Sequence, residues 1–191
     1  MIDKKAFAEM RKQMEEFDKL REQLIAQSRI VLKSSKAAIY AAHRGELKQA
    51  EELLQRAKEV VKKLEQLVKK DNHLAFVGAY SEALEEYTEA SCYVSYLKSK
   101  NIPTSKELGV EAEVYLGALS DVIGELVRKA INSSITGDYK TSLEIKEFAE
   151  ELYSELMLFD WRNTPARKKF DAIKYGLEKL EDLALKIKFR K

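Results

Sequence analysis

Cysteine is almost missing from this chain, with Cys92 alone among 191 residues. A single thiol excludes a disulfide framework and a cysteine-rich zinc site, and it suits a reducing compartment. Turn-makers are nearly as scarce, at 7 Gly and 2 Pro. A many-stranded β protein needs a turn roughly every ten residues, so this scarcity points to a few long helices. No apolar run reaches the ~18 residues of a membrane span, and Met1-Ile2-Asp3-Lys4-Lys5 is unlike a signal peptide. The expectation is a soluble, cytoplasmic protein with no membrane attachment. Histidine is limited to His43 and His73, preceded three residues earlier by Tyr40 and Lys70. A di-iron bundle needs Glu-x-x-His, so that reading is out. Phosphate-cradling glycine loops and nucleophile motifs are absent too.

What remains is core-forming, with 45% hydrophobic and 35% charged residues and a net charge of +2. The length suits one domain, 1–191, able to bury a core without a metal or disulfide staple. The small net charge hides a partition. Residues 81–160 carry 16 acidic and 7 basic side chains, whereas residues 161–191 carry 4 and 10. Residues 1–45 carry 6 acidic and 10 basic ones. An acidic middle between basic ends suits a site for a cation and a polyanion, or helices solvating each other's flanks.

Periodicity predicts an all-α, elongated bundle of six or seven helices. The first runs from about Lys4 to His43 without Pro or Gly, and Gly45 stops it. Forty residues make a rod of about 60 Å. Further helices are expected over about 46–70, 74–99, 111–133, 139–159 and 165–189, with a short turn near Ser105. Thr164 and Pro165 supply an N-cap and a first helical residue. Trp161 is expected to anchor a helix corner, Cys92 to pack as a small thiol and His43 to cap its helix.

Two helices carry candidate chemistry. The 111–133 helix is apolar around most of its circumference, yet Asp121, Glu125, Arg128 and Asn132 form one polar ridge. Carboxylates so placed need partners, either lysine or arginine, a metal ion, or water in a cleft. The 74–99 helix carries Glu82, Glu85, Glu86 and Glu89 mostly opposite its apolar stripe, which reads as a solvated acidic face. Glu86 and Glu89 nevertheless share a side with Tyr93 and Tyr96 and are spaced to hold one cation together. Glu86, Glu89, Asp121 and Glu125 are hard oxygen donors suited to Mg²⁺ or Mn²⁺. Spacing alone leaves the metal site and the ion-pair network both open.

The first helix has no acidic residue from Gln23 to Gly45. Arg29, Lys33, Lys36, Tyr40 and Arg44 fall on one stripe, able to track a phosphate backbone and stack a base. An ordinary basic face paired with acidic neighbours has the same pattern.

Several segments together resemble the translin family: Lys36-Ala37-Ala38-Ile39-Tyr40 with His43-Arg44-Gly45, Glu86-Tyr87-Thr88-Glu89-Ala90, and Glu107-Leu108-Gly109-Val110 with Tyr115-Leu116-Gly117. The strongest similarity lies in the segment from Asp121 to Asn132, followed by Gly137-Asp138-Tyr139 and the run from Arg167 to Tyr175. The resemblance covers nearly the whole chain in order. That family comprises a single-stranded nucleic-acid binder and its nuclease partner, all-helical proteins that assemble into roughly octameric shells around RNA. The resemblance implies a Mg²⁺- or Mn²⁺-dependent endoribonuclease acting on single-stranded RNA inside a homo-oligomeric shell. Glu86, Glu89, Asp121 and Glu125 would be its metal-holding catalytic set. Arg29, Lys33, Lys36, Tyr40, Arg44 and Arg128 would bind the RNA, and single-stranded DNA is a second candidate ligand. The C-terminal part is more similar to the binder, so a non-catalytic shell is the first alternative. An all-helical nucleotide pyrophosphohydrolase is the second; its later acidic motif has i, i+3 spacing, whereas Asp121 and Glu125 are four apart.

Overall fold

The computed structural model describes residues 2–190, and they contain seven α-helices and no strand. The first, α1 (Lys4–His43), is the continuous rod that the sequence predicts. Asp3 starts it by accepting hydrogen bonds from the backbone N–H groups of Lys5 (2.9 Å) and Ala6 (3.2 Å). Gly45, at φ +84°, lets the chain leave in the left-handed region. Only the later part of α1 is buried, through Leu24, Val31, Ala38, Ile39, Ala41 and Ala42 with the small Ser28, Ser34 and Ser35. Phe7, Met10 and Met14 stay exposed, so the first turns overhang the bundle.

Helix α2 (Leu47–Val68) returns along α1 and buries Ala57, Val60, Val61 and Leu64. The expected start of the next helix at Leu74 gives way to a 3₁₀ turn over Asn72–Phe76. Asp71 accepts from the His73 N–H at 2.9 Å, and extended Val77 resets the chain before α3 (Gly78–Ser99). A capping box between Thr104 and Glu107 closes the single turn α4 (Ser105–Leu108). Helix α5 (Ala112–Ile135) lies between α3, α6 (Tyr139–Leu156) and α7 (Pro165–Lys188), which explains its wide apolar arc. The sequence extends α6 to Phe159, but it ends at Leu156, whose carbonyl accepts from Trp161 Nε1 at 2.8 Å. Trp161 then stacks on Phe170 with ring centres 4.7 Å apart, anchoring the corner as expected. Thr164 takes the N-cap position of α7 in extended conformation without a side-chain bond.

Two apolar clusters hold the bundle. One joins the middle of α1 and α2 to the first half of α3. The other joins the end of α1 and the second half of α3 to α5, α6 and α7. Helices α1 and α3 contribute to both, and each fully buried Leu or Ile contributes about 1.5–3 kcal/mol. Cys92 is buried without a disulfide, and burial pushes its thiol up to about 12. Among the described residues, no helix is long and apolar enough to cross a membrane.

Candidate functional site: a carboxylate cleft beside a basic rail

Helices α3, α5 and α7 meet around a cleft of about 530 Å³ whose walls include Glu89, Asp121, Glu125 and Lys169. The acidic face of α3 is less solvated than its pattern suggests. Glu89 is only 9% exposed and Glu86 is largely covered, while Glu82 stays in water. Tyr93 and Tyr96, on the same side, are buried outright. The register of α3 against α5 draws this face inward and makes the cleft a place where carboxylates crowd.

Three of the four candidate carboxylates already have cationic partners. Lys36 Nζ stands 3.8 Å from Glu86 Oε2. Lys169 Nζ donates to Asp121 Oδ2 at 2.6 Å and to Glu85 Oε1 at 2.8 Å. Glu125 Oε2 meets His43 Nε2 at 2.5 Å and Arg128 Nη1 at 3.8 Å. Glu89 is the exception, with no ion-pair partner among the described residues. Burial, then the neighbouring charges of Glu86, Asp121 and Glu125, push its carboxyl up to about 8. Burial also raises Glu86, against the pull of Lys36. For Lys169, burial works against the charge, but its bonds to Asp121 and Glu85 prevail and hold the ammonium above the ordinary lysine value.

Lys169 and His43 are the participants that sequence reasoning missed. Lys169 sits in a basic run, Arg167-Lys168-Lys169, that gives no sign of a partner on α3 or α5. His43 is not a cap, because its ring turns inward to Glu125. A signal for it did exist, since Lys36, Tyr40 and His43 follow at i, i+4 and i+7 on one face. Glu85 is positioned by an absence. Gly117 on α5 lets its carboxylate reach Lys169, and a β-carbon there would collide with Glu85 Oε1.

The basic stripe of α1 lies outside the cleft lining and meets the carboxylates through the Lys36–Glu86 pair. Tyr40 is 53% exposed and lies beneath the Arg128 guanidinium, 5.6 Å from ring centre to Cζ. Arg29 and Lys33 line a second cleft of about 380 Å³ with Arg56 of α2, a cation not singled out in the sequence. No carboxylate lines that cleft. Arg44 contributes least free charge, because Glu46 Oε2 accepts from its Nε (3.0 Å) and Nη2 (2.6 Å). The structure therefore brings Glu89, Asp121 and Glu125 into one cleft wall, leaves Glu86 outside that lining in an ion pair with Lys36, and sets Arg128, over Tyr40, beside Glu125.

The Translin family profile matches residues 19–191. The chain belongs to the translin family. Chicken (Gallus gallus) translin is 29% identical over 134 residues, covering 63% of this chain and 58% of that protein. The chain thus spans little more than half the length of the curated translins it matches. An uncharacterised protein of Methanocaldococcus jannaschii is 31% identical across 85% of this chain and 73% of its own length. Among solved structures, the complex of AfC3PO with duplex RNA superposes with a TM-score of 0.88 at 26% identity, covering 96% of each chain. Apo-NeC3PO gives a TM-score of 0.86 at 26% identity, covering 94% of this chain and 95% of that one. The translin fold of this chain is therefore the arrangement expected from its sequence, down to the all-helical bundle.

Proposed function

We propose that this translin-family chain is a divalent-metal-dependent endoribonuclease that binds single-stranded RNA along α1 and cuts it at the carboxylate cleft, within a homo-oligomeric shell. The observation that carries this reading is Glu89. A buried carboxyl with no cationic partner, surrounded by three others, is costly unless something positive joins it. The donor set is all oxygen, which fits Mg²⁺ or Mn²⁺. Among the described residues, no three His, Cys, Asp or Glu side chains are gathered tightly enough to form a ready metal cage. In this arrangement the Lys169 ammonium supplies positive charge to Asp121. Glu86, Glu89, Asp121 and Glu125 would hold the cation.

When bound, such an ion lowers the pKa of a water and neutralises charge developing on a phosphate. The chain's own residues do the rest. Arg29, Lys33, Lys36 and Arg128 hold the RNA backbone without reading sequence, with Arg44 the weakest member. Tyr40, exposed under Arg128, offers a ring for a base to stack on. Lys168 and Lys169 line the carboxylate cleft itself and place positive charge where a phosphate would enter. The RNA-bound AfC3PO neighbour supports RNA as the ligand class.

A second reading, a non-catalytic RNA-binding shell, is favoured by one observation. Lys169–Asp121 at 2.6 Å and His43–Glu125 at 2.5 Å already pair two of the four carboxylates. Labelled single-stranded RNA incubated with the purified protein, in Mg²⁺ and in EDTA, separates the two. Cleavage only in Mg²⁺ supports the nuclease. RNA shifted but intact in both lanes supports the binder. Hydrolysis of nucleoside triphosphates instead of RNA would favour a pyrophosphohydrolase.

The rail makes its own prediction. Removing one phosphate contact lowers the slope of log affinity against log salt by about 0.7 for a single strand. Lys33→Ala and Arg56→Ala, titrated with RNA in EDTA at several salt concentrations, are each expected to show that loss and weaker binding. A wild-type slope in both proteins removes the α1–α2 cleft from the RNA path.

A further inference from the structure

The buried ring of His43 joins three helices. It leaves the last turn of α1 with its side chain 7% exposed. Nε2 lies 2.5 Å from Glu125 Oε2 on α5, and Nδ1 lies 3.0 Å from the Tyr93 hydroxyl on α3. The His43 and Tyr93 rings also pack together, with centres 5.0 Å apart. A carboxylate can only accept, so Nε2 carries the proton donated to Glu125. In the neutral ring, Nδ1 then accepts from the Tyr93 O–H. The result is a directional chain from Tyr93 through His43 to Glu125.

That chain acts on one oxygen. His43 and Arg128 both approach Glu125 Oε2. Oε1 has no hydrogen-bond or ion-pair partner among the described residues. An imidazole that grips one carboxylate oxygen, and is itself fixed from behind by a buried phenol, sets the rotamer of the carboxylate. Outer partners of this kind tune metal ligands in general.

We propose that His43 is a positioning residue for Glu125: with Tyr93 behind it, His43 holds Oε2 and leaves Oε1 as the oxygen offered to a divalent cation. This role rests on the metal reading of the cleft given above. A merely structural histidine would tie α1 to α5 and stabilise the fold, and its loss would not change how tightly a folded protein binds metal. The two roles therefore part on metal affinity rather than on melting temperature.

Isothermal calorimetry with Mn²⁺ alone, without RNA, tests it on the full chain. His43→Ala is expected to bind Mn²⁺ about 10–100-fold more weakly than the wild type. Tyr93→Phe, which keeps the ring but loses its donor, is expected to lose about threefold. His43→Gln, whose amide can still donate to Oε2, is expected to recover part of the loss. A folded His43→Ala protein with wild-type Mn²⁺ affinity overturns the role. Should His43→Ala fail to fold, wild-type affinity in Tyr93→Phe overturns it in the same way. A wild type that binds no Mn²⁺ sinks the metal reading and this role together, whereas normal binding unchanged by the variants sinks the role alone.

Discussion

A Glu89→Gln protein is expected to cut single-stranded RNA about 100-fold or more slowly than the wild type in Mg²⁺, while binding the same RNA equally well in EDTA. The same substitution should stabilise the metal-free protein. Glu89 is buried beside Glu86, Asp121 and Glu125 without a cation of its own, so near neutral pH folding has to protonate it or bury its charge, and a neutral amide avoids both costs. A gain of roughly 1–2 kcal/mol raises the melting temperature of a chain this long by about 2–8 °C. The pH dependence follows from the direction of the shift. A carboxyl held at about 8 in the fold, against an ordinary 4.5, binds its proton more tightly when folded. The stability it lends is complete below the unfolded value and is lost as pH rises through about 8. Wild type and variant should therefore melt together near pH 4 and diverge up to about pH 8, with the wild type the less stable. Thermal melts in EDTA across that range check it. A wild type that gains stability over Glu89→Gln as pH rises would contradict the buried, unpaired carboxylate. Fast RNA cleavage by Glu89→Gln would remove Glu89 from catalysis.

Leu126→Ala is expected to cost about 2–5 kcal/mol and to lower the melting temperature by roughly 4–20 °C. Leu126 is fully buried in the cluster shared by α3, α5, α6 and α7, next in sequence to Glu125. Calorimetric melting checks the energy. A variant melting within a degree of the wild type would mean that Leu126 does not carry the packing of α5 against α3, α6 and α7.

How much of this was legible in the sequence varies with distance along the chain. The rod of α1 was fully legible, because forty residues without Gly or Pro, closed by Gly45, is a local signal. The end of α6 was not, because a tryptophan five positions beyond Leu156 captures its carbonyl. Spacing and resemblance together picked Glu86, Glu89, Asp121 and Glu125, but not their inequality. Glu89 is buried and Glu82 is not because of how α3 sits against its neighbours, a fact absent from the periodicity of α3 alone. Lys169 and His43 went unseen for the same reason. A lysine in a basic run and a histidine at a helix end acquire partners only through tertiary packing.

The wide separation of those partners along the chain has a kinetic meaning. His43 and Glu125 are 82 positions apart, and Lys169 and Glu85 are 84 apart. Closing such long loops costs entropy before the contacts reward it, whereas each helix needs only its own neighbours. During refolding, most helical signal should therefore return early and the ion pairs across the cleft late. The cleft is a record of completed assembly, because Glu85 of α3 and Asp121 of α5 gain their shared lysine only once α7 has docked.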